Sequence, residues 1–364
     1  MSTEQQELKA IPATMRAAVY RGVNDVRVET VPVPEIAAGE VLVKIHTCGI
    51  CGTDLKKIHT GSHDAPRIFG HEMSGTIVGV GEGVSGFAVG DRVMAYHHIP
   101  CGECYYCRKQ TFAQCEVYKK VGCTAGFAPS GGGFAEYIRV MDWIVRRGLV
   151  KIPDGVPFEQ AAFLEPVNTC FKAIQLLHLQ PDETVLVIGQ GPIGILLAAL
   201  ARKTGATVLT SDLYPERHAI AAKFGLDHPL DARGDVAAAA KAATEGRGAD
   251  VALLAVGGNA LIKVAMDAIR PGGRVVLFAQ TQHGEAPFDP AAVCMDEKTL
   301  MGSYSSSVSF NEDVNRLVFE GYRNGFDLTN LISHRFSLED SVAAIELASH
   351  PQADSMKIVI QPGS

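Results

Sequence analysis

No stretch of about 18 uninterrupted apolar residues occurs in this 364-residue chain, so a membrane-spanning helix is not expected. The longest apolar runs, Val185–Ile188 and Ile193–Ala201, are broken by glycine or end at Arg202. The opening MSTEQQELKA lacks a basic segment leading into an apolar core. A secretory signal is therefore not expected, and a cytoplasmic location is. Basic runs are lacking too, which leaves nothing to hold nucleic acid. No block of like charge marks a disordered tail, and no internal repeat or low-complexity segment occurs. Val236–Ala243 is alanine-rich and reads as a helix.

What is present is an ordinary globular balance: 47% apolar and 20% charged residues, with a net charge of -7 spread over both signs. The length is generous for one core and comfortable for two domains. The first part reads as short strands at Met15–Tyr20, Val26–Val31, Glu40–Cys48, Ser74–Val80 and Asp91–Tyr96. Val41, Val43 and Ile45 alternate with Leu42, Lys44 and His46, the period of a strand. Glycine-rich punctuation at Gly79–Gly86 and Gly131–Gly133 separates such runs, and an antiparallel, barrel-like domain is expected.

The pattern changes near Pro153–Pro166. Thr184–Ile188, Val208–Ser211, Val251–Val256 and Arg274–Phe278 read as strands. Pro192–Lys203, Pro215–Phe224 and Asn259–Ile269 read as helices between them. Alternating units of this kind predict a parallel, doubly wound sheet. A helix over Asn311–Gly325 and a strand over Met356–Gln361 close the chain.

The strand Thr184–Ile188 runs straight into Gly189-Gln190-Gly191-Pro192-Ile193-Gly194, which opens an apolar helix. That context suits a dinucleotide. Gly189 allows the tight turn, Gly191 lets the backbone approach a pyrophosphate, and Gly194 lets the helix pack closely. The helix N-terminus faces the phosphates with free N–H groups. The next strand ends at Asp212, placed to accept from ribose hydroxyls and to repel a 2′-phosphate, so NAD is expected over NADP. Arg217 nearby keeps NADP open.

Nine cysteines in a chain expected in the cytoplasm call for an explanation other than disulfides. Cys101, Cys104, Cys107 and Cys115 have the spacing to close a tetrahedral zinc site with no open position. An iron–sulfur cluster is the rival, but its common run places the last cysteine three residues on and before proline. A second metal has candidate ligands in three separate segments: Cys51, His71 with Glu72, and Glu165. One thiolate, one imidazole and one carboxylate would leave a coordination position for substrate. Cys48 and Cys51 could instead form a redox pair, although no thioredoxin-like unit surrounds them. His59, His63, His97 and His98 read as loop or pocket residues.

The strings ICGTDLKKIHTG, FGHEMSG, GDRVMAYHHIPCGECYYCRKQTFAQC, FLEPVNTCFKA and VLVIGQGPIG resemble those of the zinc-dependent medium-chain alcohol dehydrogenases, most nearly the sorbitol and threonine dehydrogenase branch. The likeness runs from Met15 to the C-terminus. It implies a GroES-like β-barrel catalytic domain over residues 1–166 and 303–364 and a Rossmann domain over 167–302, with the active site between them. It implies a catalytic zinc on Cys51, His71 and Glu165, with Glu72 beside them as an alternate ligand or just behind them. A structural zinc at the four cysteines would make two per chain. Thr53 takes the position that receives the alcohol's proton. Relatives of this kind are dimers or tetramers, and a tetramer is expected.

Two positions depart from that pattern. Where many relatives have a proton-relaying histidine five residues after the catalytic cysteine, this chain has Lys56. Lys56 or His59 could relay, or the cofactor ribose could release the proton directly. Sorbitol dehydrogenases place an arginine in the pocket where this chain reads Gly302-Ser303-Tyr304-Ser305-Ser306-Ser307. The expected substrate is therefore a small-molecule secondary alcohol of polyol, cyclitol or sugar type. The alternatives are an amino alcohol of the threonine kind, or a non-catalytic protein that binds zinc and NAD.

Overall fold

The computed structural model of the chain describes residues 11–118, 120–279, 283–286 and 288–363. They divide into two compact units, Met1–Glu165 with Asn315–Ser364, and Pro166–Val314. Among the described residues no helix is long and apolar enough to cross a membrane.

The first unit is built on the strand Val41–Gly49. Lys44 and His46 point to solvent as alternation requires, while Val41, Val43 and Ile45 are buried. This strand pairs antiparallel with Glu72–Val80, Tyr137–Val140 and Lys357–Gln361. The same sheet continues through Arg92–Ala95 and Leu149–Lys151 on one side and Ile332–Ser337 on the other. A separate three-stranded sheet joins Asp25–Pro32, Thr14–Gly22 and Arg67–Ile68. The register sets Gly49 opposite both Glu72 and Val359. The end of one strand, the start of another and the middle of the last thereby meet where the chain leaves the sheet for Cys51.

The second unit is a six-stranded parallel sheet. In spatial order its strands are Pro229–Asp231, Thr207–Asp212, Thr184–Ile188, Ala249–Leu254, Ile269–Leu277 and Thr299–Gly302. In chain order that is 3-2-1-4-5-6, the doubly wound order of dinucleotide-binding sheets. Every residue of Ala249–Leu254 is buried, as expected for a central parallel strand covered on both faces. Leu186, Ile188, Leu209, Ala252 and Leu254 pack with Ile262 and Met266 of the helix Ala260–Ala268 in one core cluster. The segment after the last strand stays with this unit. The Asn168 amide accepts from Ser307 N–H at 2.8 Å and donates to Asn311 Oδ1 at 2.9 Å. Lys172 Nζ donates to the Tyr304 carbonyl at 2.8 Å.

The antiparallel sheet and the doubly wound parallel sheet expected from the sequence are both present. The expected strand Val251–Val256 is shifted: it covers Ala249–Leu254, and Val256 lies beyond its end, exposed. The edge strands Thr299–Gly302 and Ile332–Ser337 were not anticipated. Neither alternates buried with exposed positions along its length, so neither carries a clean two-residue period.

Candidate active site

Cys51 ends the turn after the strand Val41–Gly49 and caps the helix Gly52–Thr60. Its sulfur accepts from Thr53 N–H at 3.5 Å. Asp54, three residues on, returns the cap by accepting from Cys51 N–H at 3.3 Å. Asp54 is fully buried, and its other oxygen accepts from His71 Nδ1 at 3.0 Å. That bond leaves Nε2 as the nitrogen His71 can offer a metal. Burial opposes the charged form of Asp54, but the adjoining His71 holds its carboxyl below the usual range. For His71 itself burial disfavours the cation, and Asp54 and Cys51 together outweigh it, raising its pKa well above the ordinary value.

The donor atoms of Cys51, His71 and Glu72 lie within 4.8 Å of one another, and so do those of His71, His97 and Glu165. The expected set Cys51, His71 and Glu165 is thus divided over two trios that share His71. Burial pushes the Glu165 carboxyl up to about 7, with His71 opposing and Glu72 adding to the rise. A soft thiolate, an imidazole and buried carboxylates form a donor set suited to zinc.

Three neighbours of this cluster are not marked as part of it by the sequence. The sequence places His97 as a loop or pocket histidine. It is buried, and its ring stands 4.6 Å from that of His71 between centroids. Lys357, from the last strand, forms a buried ion pair with Glu72 and donates to the Ile50 carbonyl at 2.9 Å. Burial works against its charge, but Glu72 and Cys51 hold its pKa above the ordinary value. Asp54 was missed too, although its spacing from Cys51 is that of a capping box.

Thr53 and Lys56 lie on the helix Gly52–Thr60, Thr53 exposed and Lys56 half-buried. His59, considered as a substitute relay, has both ring nitrogens engaged. Nδ1 meets Asn24 Oδ1 at 2.6 Å and Nε2 meets Ser349 Oγ at 2.9 Å.

The sulfurs of Cys101, Cys104, Cys107 and Cys115 lie within 4.8 Å of one another, and none of the nine cysteines is in a disulfide. Backbone N–H groups support them, Cys101 N–H donating to Cys115 Sγ and Cys104 N–H to Cys101 Sγ, each at 3.3 Å. Hydrogen bonds from the Glu116 and Cys107 backbone bring Cys104 down to about 6, whereas burial pushes Cys107 up to about 12. Tyr118 packs against Cys107 and Cys115. From Tyr118 a column of rings runs to the first cluster: Tyr118 to His98 at 5.2 Å, His98 to His97 at 4.3 Å, and His97 to His71.

In the second unit Gly189 has φ of +96°, which favours glycine. A Cβ on Gly194 would overlap the Gly189 carbonyl. Gly191 caps the helix Pro192–Arg202, with Pro192 and Ile193 in its first turn. Asp212 fixes the loop by accepting from Gln190 N–H at 2.7 Å and Tyr214 N–H at 3.0 Å. Arg217 Nη1 lies 3.2 Å from Asp212 Oδ2, with its guanidinium over the Tyr214 ring. In the segment at 302–307, Ser303 and Ser307 are buried and Ser305 adopts φ of +63°.

Residues 37–154 match the alcohol dehydrogenase GroES-like domain family, and residues 192–320 match the zinc-binding dehydrogenase family. The chain is 31% identical to sorbitol dehydrogenase of Bacillus subtilis, over 97% of its length and 98% of the relative's. It is 31% identical to L-threonine 3-dehydrogenase of Rhizobium rhizogenes, over 86% and 88%. A zinc-binding dehydrogenase of Sinorhizobium meliloti, solved with NADP bound, is 29% identical and superposes with a TM-score of 0.85, covering 96% of this chain and all of the other.

Proposed function

The chain belongs to the zinc-type medium-chain alcohol dehydrogenases, enzymes that act on small-molecule alcohols with NAD(P), and from that premise we propose that it oxidises a secondary alcohol of polyol, cyclitol or sugar type, with NAD preferred. The observation that carries this reading is the gathering of Cys51, His71 and Glu72 in one group, joined through His71 to Glu165. The near full-length similarity to a sorbitol dehydrogenase supports the substrate class.

On this reading Cys51, His71 and Glu165 hold a catalytic zinc, and the four clustered cysteines hold a structural one. Bound zinc would polarise the alcohol oxygen and bound NAD would take the hydride. The protein's own groups do the rest. Asp54 fixes the His71 tautomer through Nδ1. The Thr53 hydroxyl, two residues from Cys51 and exposed, takes the alcohol's proton. Lys56, one turn on, neutralises the cofactor phosphates or lines the pocket. Gly189 to Gly194 receive the pyrophosphate, and Asp212 takes the ribose hydroxyls while repelling a 2′-phosphate.

The test is NAD reduction against a panel of polyols, cyclitols, sugars and amino alcohols. The best kcat/KM is expected with a polyol, cyclitol or sugar. A best rate with L-threonine, the substrate in a relative's name, would replace this reading with the amino-alcohol one. Zinc and NAD binding without turnover on any member would replace it with a non-catalytic role.

A further inference from the structure

Glu72 and Lys357 are both buried and form an ion pair. The pair sits in a slot made for it. Gly49 lies opposite Glu72 on one side and opposite Val359 on the other. A Cβ on Gly49 would overlap Glu72 Oε2 and come within 2.6 Å of Lys357 Cε. Lys357 Nζ is anchored further by the Ile50 carbonyl, one residue before Cys51, at 2.9 Å. Yet the Glu72 carboxylate is also within 4.8 Å of the donor atoms of Cys51 and His71. Glu72 therefore has two cations to choose between, the lysine and whatever metal the cluster holds.

We propose that Lys357 is a positioning residue that holds Glu72 as an ion pair and so keeps it off the metal's open coordination position. The inference rests on the metal reading of Cys51 and His71 given above. Charge balance supports it. One thiolate and the Glu165 carboxylate match a divalent cation. Glu72 adds an anion to a buried group that already holds Glu165 and Asp54, and Lys357 is the buried cation beside it that offsets the charge. Without Lys357, the buried Glu72 carboxylate must find another cation, and the nearest is the metal. It would then occupy the position that a substrate oxygen needs.

The experiment uses the full-length protein with cobalt(II) in place of the exchangeable zinc. Visible absorption reads the ligand set, imidazole titration reads access to the open position, and a chelator reads release. In the wild type, cobalt–thiolate absorption and ready imidazole binding are expected. Lys357→Met should alter the ligand-field bands, weaken imidazole binding and slow cobalt release, by roughly the 10–100-fold that groups behind a ligand shell command. Adding Glu72→Gln to Lys357→Met should restore all three. Glu72→Gln alone should leave the bands as in the wild type, which keeps the idea testable even where Lys357→Met does not fold. Wild-type bands that change with Glu72→Gln alone, or a Lys357→Met effect that Glu72→Gln does not reverse, would overturn the inference. So would a folded Lys357→Met variant with unaltered bands. No cobalt–thiolate absorption in the wild type would overturn the metal reading as well.

Discussion

Asp54 accepts from both the Cys51 backbone and the His71 ring, at 3.3 and 3.0 Å. One buried carboxylate thereby sets the start of the helix that carries the thiol and the tautomer of the imidazole beside it. Asp54→Asn keeps an acceptor for the cap but loses the charge behind the histidine. Metal affinity at the open site should fall about 10–100-fold, read by competition with a chromophoric chelator. Asp54→Ala should also lower stability, by losing the return bond of the capping box and leaving the ring N–H unpaired. Unchanged metal affinity in Asp54→Asn would count against the role of His71 as a ligand.

Thr53→Ala should lower kcat by roughly 10²–10⁴-fold, the usual loss for positioned acid–base catalysis, with zinc content intact. Thr53→Ser should keep most of the activity. For Lys56→Ala the expected change is a higher KM with little pH dependence and no rescue by small amine or imidazole buffers. A clear rescue would make Lys56 the relay.

On the proposed reading, cofactor choice turns on the pair Asp212 and Arg217, 3.2 Å apart. With the pair intact, kcat/KM should favour NAD. Asp212→Ser removes the repelling charge and releases Arg217 to meet a 2′-phosphate, so the preference should narrow or reverse. Arg217→Ala should weaken NADP use more than NAD use. Kinetics with both cofactors decide it, and a wild-type preference for NADP would mean that Arg217 outweighs Asp212.

Brief chelation should remove about one zinc per chain together with activity, because the open site exchanges faster than the closed one. Once the second zinc is stripped, alkylation should mark Cys104 first and Cys107 last. A pKa lowered to about 6 keeps Cys104 a thiolate at neutral pH, whereas Cys107 at about 12 stays protonated. Labelling of Cys104 should persist as pH falls and fade only near 6. Mass spectrometry of peptides labelled at pH 7 reads the order, and equal labelling of the two would contradict it.

Much of this was legible in the sequence because it is local. The loop Gly189–Gly194 lies between its own strand and helix, and the four cysteines fall within fifteen residues. Asp54 was legible in principle from its spacing to Cys51. Lys357 was not. It reaches Glu72 only because two strands nearly 300 positions apart flank Gly49, and no periodicity reports such a pairing. His97 was hidden for another reason. A histidine in a loop carries no sign of which ring it will stand against, and only the folded chain sets it 4.6 Å from His71.

The column Tyr118, His98, His97 and His71 bears on how this enzyme can be cut and rebuilt. A loop whose four cysteines could close on a metal of their own invites treatment as a cassette, to be trimmed or exchanged with that of another dehydrogenase. Here the cassette has a stem, because Tyr118 packs on its cysteines at one side and on His98 at the other. A graft that keeps the cysteines but ends before Tyr118 would leave His98 without that neighbour, and the vacancy would open two rings from His71. The unit that can be transplanted whole therefore begins at His97 and ends past Tyr118.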